Sequence, residues 1–343
     1  MAGARGCRAG SGRPVARRAA VPRRALRGGL PRGELGAVVT APGVVVAVVG
    51  PTAAGKSALS IALAHALDGE VVNADSMQLY RGMDIGTAKL TVAERDGVPH
   101  HLLDIWEVTE PASVAEYQRL ARAAVDDVLA RGRVPLLVGG SGLYVRAVLE
   151  QFEFPGTDPA LRQRLEGELA ALGPAPLYAR LREADPVAAA GILPGNGRRI
   201  VRALEVIELT GGPFTAALPE PTPYYPAVQI GVDLDTALLD ERIALRVDRM
   251  WTDGLVAETR KLVERGLPQG RTASRALGYQ QVLRFLGGEL TETEAHDETV
   301  RATRRFVRRQ RSWFRRDSRV NWLDSADPGL VEAAMRILGE TAR

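Results

Sequence analysis

Eight residues carry the first recognisable chemistry in this chain: Gly50-Pro51-Thr52-Ala53-Ala54-Gly55-Lys56-Ser57 have the spacing of a phosphate-gripping loop, G-x-x-x-x-G-K-[ST]. The glycines let backbone N–H groups approach phosphate oxygens, and the N-terminus of the following helix adds positive potential. Lys56 supplies a point charge, and the Ser57 hydroxyl is a ligand for a magnesium ion. The loop follows an apolar run ending at Val49 and opens a helical pattern from Lys56 to about Leu67, the context this chemistry requires. A site for a diphosphate or triphosphate group follows.

A motor ATPase or GTPase also needs an acidic residue at the end of a later buried strand to hold magnesium. The candidate strand Val134 to Val138 ends instead in Gly139-Gly140-Ser141. The bound phosphate group is therefore expected to be transferred or to leave, not to drive a mechanical cycle. Asp75 closes another predicted strand, Glu70 to Asn73, and ligands of open α/β sheets bind outside the carboxyl ends of strands. A carboxylate there serves as a general base or a magnesium partner; a turn or helix-capping aspartate is the structural alternative. Ser141 sits similarly, after two glycines that permit close backbone approach. His100 and His101 are adjacent, so they point in different directions, and no third metal ligand accompanies them.

The elements that must position these groups alternate. Buried-strand patterns at 44–49, 70–73, 134–138 and 228–233 are separated by helical ones, including 114–130. This predicts an α/β fold: a P-loop NTPase-like parallel sheet with helices on both faces. From Phe154-Pro155-Gly156 to about Pro223 the pattern is helical, punctuated by prolines and without a strand, which predicts an all-helical insertion. The expected organisation is a tail over 1–43, a first core segment over 44–153 and the insertion over 154–223. A second core segment follows over 224–325, with helices at 240–265 and 293–316, and then a tail or helix over 326–343.

Apolar residues at 45% and charged residues at 25% are ordinary for a globular protein. No apolar run reaches the length of a membrane span. The single cysteine, Cys7, excludes an internal disulfide framework and a cysteine-rich zinc site, and fits a reducing, cytoplasmic setting. Basicity is local. Residues 1–35 hold nine arginines and one acid, a net +8 against +4 for the whole chain, so the remainder stands at −4. That tail reads as disorder, with a transit peptide or a start codon nearer Val38 to Val44 as its alternatives. Residues 301–319 hold nine further arginines against Asp317 alone. Such a helix repels itself unless a polyanion lies nearby, which predicts RNA.

Seven collinear blocks then resemble the tRNA dimethylallyltransferases, also called tRNA isopentenyltransferases. They are Gly50–Ser57, Asn73–Lys89, Pro99–Asp104, Leu137–Tyr144, Arg202–Val206, Ala276–Gln280 and Arg309–Phe314. The resemblance implies transfer of a dimethylallyl group from dimethylallyl diphosphate to N6 of the adenosine just 3′ of a tRNA anticodon. The P-loop would grip the leaving diphosphate. Asp75 matches the catalytic aspartate that takes the N6 proton, while Lys56, Arg246 and magnesium on Ser57 would stabilise the departing diphosphate. Ser141 matches a threonine that contacts substrate. Asp75, Ser76, Met77 and Gln78 match the segment handling the flipped base, and Arg162, Arg198, Arg199, Arg202, Arg275 and Gln280 match positions touching the anticodon stem-loop. Arg242 and Arg249 compete with Arg246 as face charges. The resemblance also suggests a monomer. A P-loop small-molecule kinase, an adenylate isopentenyltransferase and a non-catalytic RNA-binding module are the competing readings.

Overall fold

The computed structural model describes residues 43–214 and 220–341; the arginine-rich tail predicted over 1–43 lies almost wholly outside them. Eighteen strands and α-helices follow in order within the described residues: β1 Val45–Val49, α1 Lys56–Leu67, β2 Gly69–Asn73, β3 His100–His101, α2 Val114–Ala130, β4 Val134–Gly139, α3 Gly142–Leu149, α4 Pro159–Leu172, α5 Pro174–Ala184, α6 Pro186–Ala190, α7 Gly197–Thr210, β5 Ala227–Asp233, α8 Thr236–Thr252, α9 Leu255–Glu264, α10 Tyr279–Leu286, α11 Glu292–Phe314, β6 Val320–Asp324 and α12 Leu330–Thr341. The strands form one parallel sheet in the order β3-β2-β4-β1-β5-β6.

β1 is all Val and Ala and fully buried, because both faces of a parallel sheet are covered by helices. Its side chains divide by parity. Val45, Ala47 and Val49 enter a core with residues of α2, α3 and α10, whereas Val46 and Val48 pack with α1 and α12. The segment after 326 is thus a helix, and Ala334, Met335 and Leu338 complete the second core. The helix expected over 240–265 is broken: Gly254 at φ +104 separates α8 from α9, a backbone region that glycine alone enters freely. β6 was not anticipated from sequence.

Helices α4 to α7 share a core of their own, built on Leu165, Leu177, Leu181, Ile200 and Leu204. Where this segment leaves and rejoins the rest, two extended stretches hydrogen-bond to each other, Gln151 N–H to Thr222 O and Tyr224 N–H to Leu149 O, both at 2.8 Å. Among the described residues no helix is long and apolar enough to cross a membrane.

Candidate active site

The P-loop leaves β1 where β5 runs directly alongside. A side chain on Gly50, at φ +135, would overlap the carbonyl oxygen of Val232, so this position admits glycine only. Gly55, at φ +98, turns the chain into α1, whose first amides have no side-chain cap and remain available to an anion. Lys56 folds back and donates to Pro51 O at 2.8 Å. Enclosure lowers its pKa to about 8; the carboxylate of Asp75 pulls it up and the guanidinium of Arg246 pushes it further down. The three charged groups therefore sense one another in one site.

Asp75 lies just beyond β2 and is held by Asn73. The Asn73 side chain accepts from Asp75 N–H at 3.0 Å and donates to Asp75 O and Leu102 O, each at 3.1 Å. One Asp75 carboxylate oxygen accepts from Met77 N–H at 3.0 Å. This is the turn aspartate of the structural alternative, but only half of the carboxylate is used that way. The loop that follows carries Gln78 and Thr87; Thr87 O accepts from Gln78 Nε2 at 3.2 Å and from Arg246 at 3.1 Å. Two contacts fold the loop. Lys89 Nζ donates to Asp84 and Asp104, both at 2.6 Å, and Glu258 of α9 accepts from the backbone N–H groups of Asp84, Ile85 and Gly86. These pairs engage Asp84, Ile85, Gly86 and Lys89 of the Asn73–Lys89 block and Asp104 of the Pro99–Asp104 block.

A cavity of about 250 Å³ joins Thr52, Ala53, Gly55, Lys56, Ser57, Asp75, Gln78 and Arg246, with Ala88, Leu90 and Leu103 as apolar wall. Gly50, Pro51 and Ala54 carry the loop but do not line it. Arg246 is the arginine of its helix in the cavity; Arg242 and Arg249 are exposed, and Arg242 reaches Ser325 Oγ at 3.3 Å. Ser141 is outside the lining. Its hydroxyl accepts from Ser76 N–H at 3.2 Å, so it touches the Asp75 segment. His100 lines the cavity and bonds Val98 O, whereas His101 bonds Glu70.

The positions assigned to the stem-loop behave in two ways. Arg162 and Arg202 both pair with buried Glu205, and Arg202 also donates to Pro155 O and Gly156 O. Arg198, Arg199, Arg275 and Gln280 are exposed, and the charge of Arg198 is felt at Tyr144, beside the site.

Two expectations need correcting. The arginines of residues 301–319 are not without acids: Arg304 and Arg308 lie against Asp240, Arg311 and Arg315 pair with Asp233, and Arg319 pairs with Glu150 and Asp317. Arg301, Arg305, Arg309 and Arg316 remain; the first three form an exposed row at four-residue spacing on α11, and none of the four meets a carboxylate among the described residues. The second correction concerns strand ends. The strand on the other side of β1 does end in an acid, Asp233, but Arg311 and Arg315 occupy it. Sequence reasoning also passed over Gln310, which bonds both Thr52 N–H and Gly140 O at 2.9 Å.

The model of the IPP transferase family matches residues 78–317. The tRNA dimethylallyltransferase of Salinispora arenicola is 84% identical over 303 residues, covering 88% of this chain and 89% of that protein. The chain belongs to the tRNA dimethylallyltransferase family. The family enzyme of Thermobifida fusca is 67% identical over 86% of this chain and 94% of its own length. Among solved structures, the full-length tRNA isopentenylpyrophosphate transferase of Bacillus halodurans is 42% identical, covers 88% of this chain and 97% of that one, and superposes with a TM-score of 0.67. A eukaryotic dimethylallyltransferase acting on tRNA is 26% identical, covers 85% and 77%, and gives 0.74. The P-loop and Asp75 precede the span matched by the family model, so their place in the site rests on the geometry above.

Lys56 yields a prediction for this dimethylallyltransferase family member. The charged ammonium is the form that attracts a diphosphate, and with a pKa of about 8 it is lost as pH rises through that value. Measured by calorimetry and referred to Lys56→Met, whose profile reports the ionisation of diphosphate itself, the affinity advantage of the wild-type protein is expected to be lost above pH 8. Lys56→Met is expected to bind roughly 10–100-fold more weakly, the worth of one charged hydrogen bond, with no break at pH 8.

Proposed function

We propose that this chain transfers a dimethylallyl group from dimethylallyl diphosphate to the exocyclic N6 amine of the adenosine 3′-adjacent to the tRNA anticodon, releasing diphosphate. The observation that carries this reading is the cavity shared by Lys56, Ser57, Asp75 and Arg246. An adenine amine is a weak nucleophile, since its lone pair is delocalised into the ring. As N6 bonds to the allylic carbon and the carbon–oxygen bond to diphosphate breaks, the nitrogen must lose a proton. Asp75 has one carboxylate oxygen outside its turn hydrogen bond to accept it, and a base so placed contributes about 10²–10⁴-fold. Charge growing on the leaving diphosphate meets the N-terminus of α1, Lys56 and Arg246. Ala88, Leu90 and Leu103 offer an apolar wall to the five-carbon tail.

Magnesium fits this donor set. The Ser57 hydroxyl lines the cavity, and no cluster of three acidic, His or Cys ligands competes for the ion among the described residues. Magnesium favours such sites, in which substrate phosphates and water complete the shell. Bound there, it would neutralise charge on the diphosphate.

The target base must leave its stack to reach Asp75. Ser76, Met77 and Gln78 follow Asp75 directly and are assigned to the flipped base, with Ser141 behind Ser76. The exposed Arg198, Arg199, Arg275 and Gln280 are assigned to the stem-loop, and Arg301, Arg305 and Arg309 to its phosphates. Arg162 and Arg202 act on RNA through the shape of the helical segment they hold with Glu205. Action as a monomer and a cytoplasmic setting are part of the same reading.

The direct test incubates the protein with magnesium, an anticodon stem-loop and either dimethylallyl diphosphate or ATP. A prenylated adenosine from the first donor without ATP is expected; phosphorylation from ATP with no prenyl transfer would sink the reading. Asp75→Asn keeps the shape but accepts no proton, so single-turnover transfer is expected to slow about 10²-fold or more with little change in affinity.

The arginine row makes a separate prediction. Replacing Arg301, Arg305 and Arg309 with Gln is expected to weaken all stem-loops alike. The slope of log affinity against log salt is expected to fall by roughly 0.7–0.9 for each phosphate no longer neutralised. Replacing Arg304 and Arg308 is expected to change it less, because the two share the carboxylate of Asp240 and offer about one net charge between them. A wild-type slope in the variant lacking Arg301, Arg305 and Arg309 would remove the row from the interface.

A further inference from the structure

Gln310 is the one long polar side chain on the buried face of α11, which otherwise presents Ala, Thr, Val and Phe to the core. Both ends of its carboxamide are used. The oxygen accepts from Thr52 N–H in the P-loop and the NH₂ donates to Gly140 O beyond β4, each at 2.9 Å. The two backbone partners dictate this orientation, since an N–H can only donate and a carbonyl can only accept. The contact is close enough that a Cβ on Gly140 would overlap the Gln310 amide, and one on Gly142 would overlap the Trp313 ring one turn further along α11. The glycines after β4 and the Arg309–Phe314 block are two halves of one contact.

That contact continues into the site. Gly140 is followed by Ser141, whose hydroxyl accepts from Ser76 N–H at 3.2 Å, and Ser76 follows Asp75. A short path therefore runs from the loop that grips diphosphate, through Gln310, Gly140 and Ser141, to the residue beside the base. Inside the loop itself, the other hydrogen bonds are local: Lys56 Nζ and Ala54 N–H both return to Pro51 O. We propose that Gln310 is a positioning residue for the transfer reaction. It fixes the P-loop against the end of β4 and so sets the offset between the leaving diphosphate and Asp75. The inference rests on the donor reading given above.

Two variants test it. Gln310→Met has similar volume and loses both hydrogen bonds; Gln310→Glu can still accept from Thr52 N–H but cannot donate to Gly140 O, and it brings a negative charge to the loop. For each, inorganic diphosphate binding with magnesium, stem-loop affinity, thermal melting and the single-turnover rate at saturating dimethylallyl diphosphate and stem-loop are measured. Both variants are expected to slow transfer by about tenfold or more, the scale of effect when a reacting group loses its fixed placement, with stem-loop affinity within about twofold. Gln310→Glu is expected to bind diphosphate more weakly than Gln310→Met. If Gln310→Met does not melt cooperatively, Gln310→Glu, which retains the loop contact, carries the test. Transfer at the wild-type rate in a variant that merely melts earlier would overturn the inference and leave the donor reading standing. Failure of the wild-type protein to bind diphosphate would overturn both.

Discussion

At the carboxyl edge of the sheet, backbone packs against backbone and against two side chains of α11 so closely that at four positions a Cβ would overlap a neighbour. A Cβ on Gly50 meets Val232 O, one on Gly139 meets the backbone of Ala74, one on Gly140 meets Gln310 and one on Gly142 meets Trp313. These contacts fasten β1 to β5, β4 to the exit of β2, and the end of β4 to α11. The P-loop, the Asp75 segment and Ser141 all hang from them. Because interiors are close-packed and yield little, adding one methyl group here would shift cavity-lining groups as well as lower stability.

Charge is organised by pairing. Away from its first 35 residues the chain is net acidic, and four buried acids are paired with arginines: Glu70 with Arg131 and Arg133, Glu150 with Arg146 and Arg319, Glu205 with Arg162 and Arg202, Asp233 with Arg311 and Arg315; a fifth, Asp185, accepts from the N–H groups of Ala188 and Phe214. A buried carboxylate without a partner is costly, so these arginines have structural duties. Helix α11 divides the labour by face. One side carries Gln310 to the P-loop, one side anchors Asp233 and Asp240, and the remaining row faces solvent with charge to offer a polyanion.

Local pattern made much of this legible. α1 and α2 begin and end where their periodicity and flanking residues indicate, and the interior strands show as apolar runs because both faces are buried. That the P-loop and Asp75 would share a cavity was readable because strand-end position places both outside the carboxyl ends of the strands. What escaped depends on distant neighbours. β6 is a short edge strand whose Asn321, Trp322 and Leu323 are incompletely buried, so it lacks the apolar run. Asp233 was overlooked as a strand-end acid because the sheet order, which brings β5 beside β1, is not written in local sequence. The pairing of the α11 arginines involves Asp240, Asp233 and Glu150, roughly 60–170 residues away, and Gln310 reads in sequence as one polar residue within an arginine-rich helix.

The central claim is that a departing diphosphate and an attacking amine meet in one cavity between the P-loop and Asp75. A crystal structure of the protein with magnesium, a non-transferable analogue of dimethylallyl diphosphate and an anticodon stem-loop tests it most directly. The account predicts both phosphates within hydrogen-bond distance of the first amides of α1, Lys56 and Arg246, the five-carbon tail against Leu90 and Leu103, and N6 of the flipped adenine within hydrogen-bond reach of the Asp75 carboxylate. Phosphates seated elsewhere, or an adenine amine on the far side of the P-loop from Asp75, would contradict it.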